Sequence, residues 1–435
     1  MASDTPKVMH MIAGAPMIAH TLATAGDMDI GERIVVTGHK GQQVRDALKA
    51  LDPDIKVTEQ KDRLGTAHAA LTASDLLANA TGDVAVMNGD NPLITPATLR
   101  RMADLRAGGA DLVVLGFHVD APNRYGRLVC DGDKVLRCVE WKDATEDERR
   151  ITLCNAGLYL GEVQTVLRLA AAIGNDNAAG EYYLPDIIAL ATAEGLTVAA
   201  VTCDEAEALG VNSRAELAAA EAAFQTRARA DLLEAGVTMQ APDTVHLAFD
   251  TVIGRDAVIE PHVVFGPGVT IESGATIRAF SHLEGCHVSA GAVVGPYARL
   301  RPGAELANNA KVGNVVEIKS AQIGEGAKVN HLTYIGDAEI GDGTNVGAGT
   351  ITCNYDGVFK HKTVIGRNAF IGSNTLIVAP RTIGDEAMTA TGSVITKDVP
   401  AGDLAVARGK QDNKPGYARK LFARLRAAKA ARQKD

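Results

Sequence analysis

Thr251-Val-Ile-Gly-Arg-Asp-Ala-Val-Ile-Glu-Pro-His-Val-Val-Phe265-Gly-Pro-Gly-Val-Thr-Ile271-Glu-Ser-Gly-Ala-Thr-Ile277-Arg-Ala-Phe-Ser-His-Leu283 is the stretch on which the fold turns. A bulky apolar residue recurs every six positions, at Ile253, Ile259, Phe265, Ile271, Ile277 and Leu283, and Val258, Val264, Thr270 and Thr276 stand one position earlier. A helix would scatter such positions around its circumference. A barrel requires alternation with period two and turns every 8 to 12 residues. A period of six gives one short strand and one turn per side of a coil, the mark of a β-solenoid. The phase returns at Val312 and Ile318, at Ile323, Val329 and Ile335, and at Ile365, Ile371, Ile377 and Ile383. It breaks over Thr352 to Lys362, which predicts a loop projecting from the coil; inserted loops of this kind commonly carry binding function.

Upstream the rhythm differs. Arg33-Ile-Val-Val-Thr37, Asp83-Val-Ala-Val-Met87 and Asp111-Leu-Val-Val-Leu-Gly116 alternate with helical stretches at Val44 to Leu51 and Thr98 to Arg106. That alternation predicts βαβ units around a largely parallel sheet, with ligands beyond the carboxyl ends of the strands. Ser213-Arg-Ala-Glu216 reads as a capping box opening one long helix that Gly236 ends, the connector between the two architectures. The expected organisation is therefore residues 1–212, a connector over 213–235, a solenoid over 236–408 and a basic tail over 409–435, solvated or helical.

The 435 residues carry a net charge of −9, which argues against a general nucleic-acid binder, since phosphate contacts need a concentrated basic surface. Cys130, Cys138, Cys154, Cys203, Cys286 and Cys353 form no C-x-x-C pair and no even framework, as expected of free thiols in a reducing, cytoplasmic setting. No run reaches the ~18 apolar residues of a membrane span. The chain is expected to have neither a nucleic-acid nor a membrane partner.

The six-residue period resembles the hexapeptide repeat of left-handed parallel β-helix acyltransferases. Arg299-Leu-Arg-Pro-Gly303, His331-Leu-Thr-Tyr-Ile-Gly-Asp-Ala-Glu-Ile-Gly341 and Gly347-Ala-Gly-Thr-Ile-Thr-Cys-Asn-Tyr-Asp-Gly357 resemble the acetyltransferase domain of the bifunctional N-acetylglucosamine-1-phosphate uridyltransferases/glucosamine-1-phosphate acetyltransferases. Acetyl transfer to an amine needs a base that titrates near neutrality, and His331 is the candidate. Arg301 and Lys319 are 18 apart, one coil of three six-residue sides, so both can face one anion such as a sugar phosphate. The resemblance implies that Arg301, Lys319, Tyr334 and Asn345 hold glucosamine 1-phosphate. It also implies that Ala348, Asn354, Tyr355, Ser373, Thr391 and Arg408 line acetyl-CoA, Thr391 standing where the family often has alanine. Transfer is expected to be direct; Cys353 has no base beside it in sequence and is not expected to form an acyl-enzyme.

The first half is similar to sugar-1-phosphate nucleotidyltransferases, a Rossmann-like α/β class. It carries in family order Ser3-Asp-Thr-Pro-Lys7-Val, Gln60 with Leu64-Gly-Thr66, Gly89-Asp-Asn-Pro92, Tyr125-Gly-Arg127, Glu140 with Lys142-Asp143, Cys154-Asn-Ala-Gly157 and Gly210-Val-Asn212. By resemblance, Asp90 and Asn212 are the ligands of a Mg²⁺ ion. Gln60, Gly65 and Thr66 recognise the uracil of UTP, Lys7 meets phosphate, and Gly126, Glu140 and Asn155 bind the N-acetylglucosamine portion. Asn88 stands where a tyrosine is frequent, and Trp141 beside Glu140 is a second departure. The family opens with a strand and a loop of the form L-A-A-G-x-G-T-R-M, and this chain begins at the last methionine of that motif. The expectation is that a central strand and the phosphate-cradling amides are missing, so that either the reading frame starts upstream or uridyl transfer is lost. The implied assembly is a homotrimer. The alternatives are a monofunctional acetyltransferase with a scaffolding first domain, and a regulatory subunit.

Overall fold

The computed structural model describes residues 1–28, 30–38, 41–120 and 123–432; the last three residues of the basic tail lie outside it. Two compact units emerge. The first comprises Met1–Gly236, Ala241–Val252 and Phe265–Gly268, and the second Val237–Gln240, Ile253–Val264 and Val269–Asp435.

The first unit runs in chain order β1 (Met11–Ile12), β2 (Ala15–Pro16), α1 (Met17–Gly26), β3 (Ile34–Thr37), α2 (Gly41–Leu51), β4 (Lys56–Glu59), α3 (Thr66–Leu71), α4 (Ser74–Leu77), β5 (Asp83–Val86), α5 (Pro96–Ala107), β6 (Leu112–His118), β7 (Arg127–Asp131), β8 (Lys134–Val139), β9 (Leu153–Glu162), α6 (Val163–Ala171), α7 (Ile187–Ala193), β10 (Val198–Cys203) and α8 (Arg214–Glu234). Six strands form one sheet in the order β5-β9-β6-β10-β8-β7, while β3 and β4 form a separate parallel pair. The sheet is mixed rather than largely parallel. β10 runs parallel to β6, but β9 lies antiparallel between β5 and β6, and β7 and β8 are antiparallel neighbours. Val113, Val114, Leu115 and Leu158 are fully buried, the burial expected of strands covered on both faces. β3 and β5 each keep one edge without a strand partner among the described residues, and both line a cavity of about 920 Å³.

Helix α8 opens with Ser213, whose hydroxyl accepts from the Glu216 amide while the Glu216 carboxylate accepts from the amides of Asn212 and Ser213, both at 2.7 Å. That reciprocal cap fixes Asn212 at the mouth of the site described below. Gly236 follows the helix at φ +91°, a left-handed position that favours glycine.

The second unit is a three-faced left-handed parallel β-helix. One face is a ten-stranded parallel sheet from Thr238–Met239 to Leu404–Ala405. Ile259, Ile277, Val294, Val312, Val329, Val346 and Ile371 stack in direct register along its inside, each at most 2% exposed. Burial of each such side chain is worth about 1.5–3 kcal/mol, so the repeated stack supplies the driving force for coiling. The other two faces are joined because Glu317–Ile323 and Tyr334–Ile340 bend around a corner. The first part of Glu317–Ile323 pairs with Arg299–Leu300 and the second with Ala304–Leu306. Helix α9 (Tyr417–Arg432) ends the described chain and has no buried residue.

Candidate functional sites

In the first unit the carboxylate of Asp90, just past β5, and the side-chain carbonyl of Asn212 converge on one cation. The Lys7 ammonium donates to both, reaching Asn212 Oδ1 at 2.7 Å. Val211 donates its amide to the Asp90 carbonyl at 3.0 Å, which locks the two segments together. Two hard oxygens already aimed at one positive charge are the donor set that a Mg²⁺ ion takes, so these residues fit the expected metal. Thr66, Lys7 and Asn212 line the same large cavity.

Gln60, Gly65 and Thr66 are brought together. Gln60 Nε2 donates to the Gly65 carbonyl at 3.0 Å and lies 3.0 Å from His68 Nδ1. Gly65 sits at φ +121° against the backbone of Tyr182, and the Thr66 hydroxyl accepts from the Leu184 amide at 2.9 Å. Gly126, Glu140 and Asn155 form a second group. The Asn155 amide N–H donates to the Gly126 carbonyl at 2.9 Å, and a Cβ at Gly126 would lie 3.1 Å from Glu140 Oε1. The Asn155 side chain is already engaged, accepting from the Gly157 amide at 3.0 Å and donating to the Tyr159 hydroxyl at 2.7 Å. The fully buried Arg127 pins this turn by donating to the Asn123 side chain at 2.7 Å and to the Tyr125 carbonyl. Trp141 supplies a ring 5.0 Å from its guanidinium.

Burial pushes the Glu140 carboxyl above its ordinary range, with Asp186 and Asp143 adding repulsion, and burial with Asp143 does the same to Asp186. The folded state therefore holds these protons more tightly than the unfolded chain. The associated stability is fully present below the ordinary carboxyl range and is lost as pH rises through the raised values. In Glu140→Gln and Asp186→Asn the first unit's melting transition at neutral pH is expected to rise above wild type, and the gap to close toward pH ~4; a pH series of melting curves with no such convergence contradicts the burial account.

In the second unit the corner between the ten-stranded face and the face bearing Tyr334 is a ladder. Val315, Leu332, Gly349, Asn374 and Gly392 take left-handed φ of 50–76° on successive coils. The residues just before them are Asn314, His331, Ala348, Ser373 and Thr391, and their carbonyls link the coils: Leu332 donates to Asn314, Gly349 to His331, Asn374 to Ala348 and Gly392 to Ser373. Arg408 Nη1 closes the series on the Thr391 carbonyl at 2.8 Å. With coils ~4.8 Å apart, His331 to Thr391 spans roughly 14 Å, a track for an extended ligand.

At the top of this track His331 Nδ1 lies 2.6 Å from Asn314 Oδ1. An amide oxygen only accepts, so Nδ1 is the donor here, and in the neutral ring Nε2 is the nitrogen whose lone pair can serve as a base. Arg301 and Lys319 stand in register on adjacent coils beyond the pair Leu300 and Ile318. Arg301 Nη1 is paired with Glu317 Oε1 at 2.8 Å, while the Lys319 ammonium has no ion pair or hydrogen bond among the described residues. Tyr334 stands opposite Glu317, and Asn354, nearly buried, lies 3.5 Å from the Tyr334 hydroxyl and donates to Asp337. Asn345 is not brought to this group: it sits on the ten-stranded face, opposite Lys328 and Phe370.

The projecting loop closes on itself. Asp356 accepts from the amides of Val358 and Phe359 and pairs with His361 at 2.6 Å, contacts that hold its carboxyl down to about 2. Lys360 rests 4.1 Å from the Tyr355 ring centroid. Burial pushes the Cys353 thiol up.

Asn314, Glu317, Asp337 and Asp186 are site residues that sequence reasoning missed. Asn314 had a signal, because it stands 17 residues before His331 and thus one coil away.

The two architectures define a nucleotidyltransferase fold followed by a hexapeptide transferase fold. The family of MobA-like NTP transferase domains matches residues 1–152, and the bacterial transferase hexapeptide family, with six repeats, matches residues 250–285. A "Bifunctional protein GlmU" of Ruegeria sp. (strain TM1040) is 62% identical over 434 residues, covering 100% of this chain and 96% of that protein. Proteins of the same name from Jannaschia sp. (strain CCS1) and Ruegeria pomeroyi are 59% and 62% identical over 435 residues, with the same coverage. The chain belongs to the bifunctional GlmU family.

Proposed function

We propose that this chain makes UDP-N-acetylglucosamine by two transfers: acetyl from acetyl-CoA to glucosamine 1-phosphate, then uridylyl from UTP to N-acetylglucosamine 1-phosphate with release of pyrophosphate. The observation that carries the first is His331, held by Asn314 at the head of the corner track. The amine nitrogen attacks the thioester carbon, a C–N bond forms, the C–S bond breaks, and the proton released from nitrogen passes to His331 Nε2 and on to the departing thiolate. Lys319, Arg301 and Tyr334 hold the sugar phosphate, with Glu317 exchanged for the phosphate as the partner of Arg301. Ala348, Ser373, Thr391 and Arg408 line acetyl-CoA along the track, joined by Asn354 and Tyr355. Loss of CoA release in His331→Ala is the test.

For the second transfer, Asp90 and Asn212 would hold a Mg²⁺ ion, which when bound would supply charge neutralisation for the reacting phosphates. Lys7 turns from these oxygens to the nucleotide phosphate, Gln60, Gly65 and Thr66 receive uracil, and Gly126, Glu140 and Asn155 receive the sugar. Because the Lys7 ammonium and the metal share the same two oxygens, Lys7→Met is expected to bind Mn²⁺ without nucleotide about tenfold more tightly than wild type, ~1.4 kcal/mol. Asp90→Asn should bind it more weakly. Paramagnetic resonance of free Mn²⁺ reads both, and equal affinities across the three proteins contradict this competition.

Residues 1–212 form the nucleotidyltransferase part, 213–235 the connector, 236–408 the acetyltransferase and 409–435 the tail. A homotrimer is supported by Asn345 standing on a different face from its expected partners, so that a second copy is needed to complete the sugar-phosphate site. The exposed column His262, Phe280, Tyr297, Val315 and Leu332, with ring centroids 4.9 Å apart in the first three, supports it further. Sedimentation should give three times the chain mass; a monomer contradicts it. Six unpaired cysteines, and no helix among the described residues long and apolar enough to cross a membrane, support a cytoplasmic setting.

A further inference from the structure

Among the described residues of the second unit, helix α9 is the one long element built without a buried face. Its sixteen residues, Tyr417-Ala-Arg-Lys-Leu-Phe-Ala-Arg-Leu-Arg-Ala-Ala-Lys-Ala-Ala-Arg432, include six basic side chains and no acidic one, in a chain whose net charge is −9. At about 100° per residue Tyr417, Leu421, Phe422 and Leu425 fall within roughly 140° of arc and Arg419, Lys420, Arg424 and Arg426 take the remainder, so the two faces are segregated over the first ten residues, while Lys429 and Arg432 follow on the apolar side beyond Leu425. Tyr417, Phe422 and Leu425 are 55%, 59% and 52% exposed. The stretch from Val406 to Gly416 that joins it to the last coil has neither helix nor strand, and Gly416 stands at φ +71°.

We propose that α9 is a docking element for a bilayer surface bearing anionic phospholipids. Basic flanks around an aliphatic and aromatic stripe match what such a surface offers, phosphate charge above hydrocarbon, so that both halves of the helix are satisfied at once. A nucleic acid would take up the arginines and leave Leu421 and Leu425 in water. A charged helix of this length is marginal alone in water, so the surface also stabilises the helical state. This contact adds a peripheral membrane partner where the composition predicted none, and it is independent of both transfer sites.

The test is co-sedimentation of the full chain with vesicles of phosphatidylcholine alone and of phosphatidylcholine with phosphatidylglycerol, in wild type, Phe422→Ser/Leu425→Ser and Arg424→Glu/Arg426→Glu. The expected result is binding at least about tenfold tighter to the anionic vesicles, reduced about tenfold by either double substitution and weakened by salt, with CoA release unchanged in all three proteins. Absence of a phosphatidylglycerol effect overturns the proposal. So does binding that survives loss of Phe422 and Leu425 while RNA competes it away, which assigns α9 to nucleic acid. A change in sedimenting mass of the soluble protein on either substitution overturns it as well, because the helix then covers a second copy of the chain.

Discussion

Replacing His331 by alanine is expected to lower CoA release from acetyl-CoA and glucosamine 1-phosphate by about a thousandfold, the middle of the range that general-base catalysis supplies. Asn314→Ala should cost about tenfold, because the imidazole then loses the acceptor that keeps its proton on Nδ1. The two losses differ in kind. Without His331 no group on the track accepts the proton of the attacking amine, and the deficit persists at every pH. Without Asn314 the base is present but free to adopt the other tautomer or rotate, so the deficit falls on kcat with little change in KM. His331 is exposed and its substitution leaves the stacked interior untouched, so the circular dichroism of the β-helix should be unchanged. Full activity in His331→Ala removes the base assignment; full activity in Asn314→Ala removes only its positioning role.

The second large effect is on stability. A Cβ at Gly65 would lie 2.4 Å from the Tyr182 carbonyl oxygen and 2.6 Å from its nitrogen, at φ +121°. Those two atoms are committed: Tyr182 donates to the Leu64 carbonyl at 2.8 Å and accepts from the Ala67 amide at 2.9 Å. Because the obstacle is backbone, neither side can yield as a flexible side chain would. Gly65→Ala must break both hydrogen bonds or leave its φ, and strained backbone together with an unpaired polar group costs about 3 kcal/mol or more. The urea midpoint of the first unit should fall steeply while that of the β-helix, with its CoA release, stays in place. An unchanged first midpoint would mean that this loop repacks freely.

The β-helix was readable because its signal is redundant: Ile259, Ile277, Val329 and Ile371 repeat one environment, and each is buried. The first unit was readable only as alternation. Hydrophobic runs reveal that β9 exists but not its direction, and its insertion antiparallel between β5 and β6 depends on pairing that no local pattern encodes. Site residues divide the same way. His331 and Lys319 stand out by chemistry at a recognisable spacing. Glu317 was hidden because an acid in an expected anion site reads as noise until its contact with Arg301 is seen. Asn314 was hidden because asparagine is ordinary in coil turns. Asp186 lies far along the chain from Glu140 and acts on it only through the folded surface.

The central claim is that one chain holds two separable transfer sites, and paired release assays on wild type, His331→Ala and Asp90→Ala test it most directly. CoA release is followed with acetyl-CoA and glucosamine 1-phosphate, and pyrophosphate release with UTP, N-acetylglucosamine 1-phosphate and Mg²⁺. The account predicts that His331→Ala loses CoA release alone and Asp90→Ala loses pyrophosphate release alone; either substitution abolishing both reactions, or leaving both intact, would contradict it.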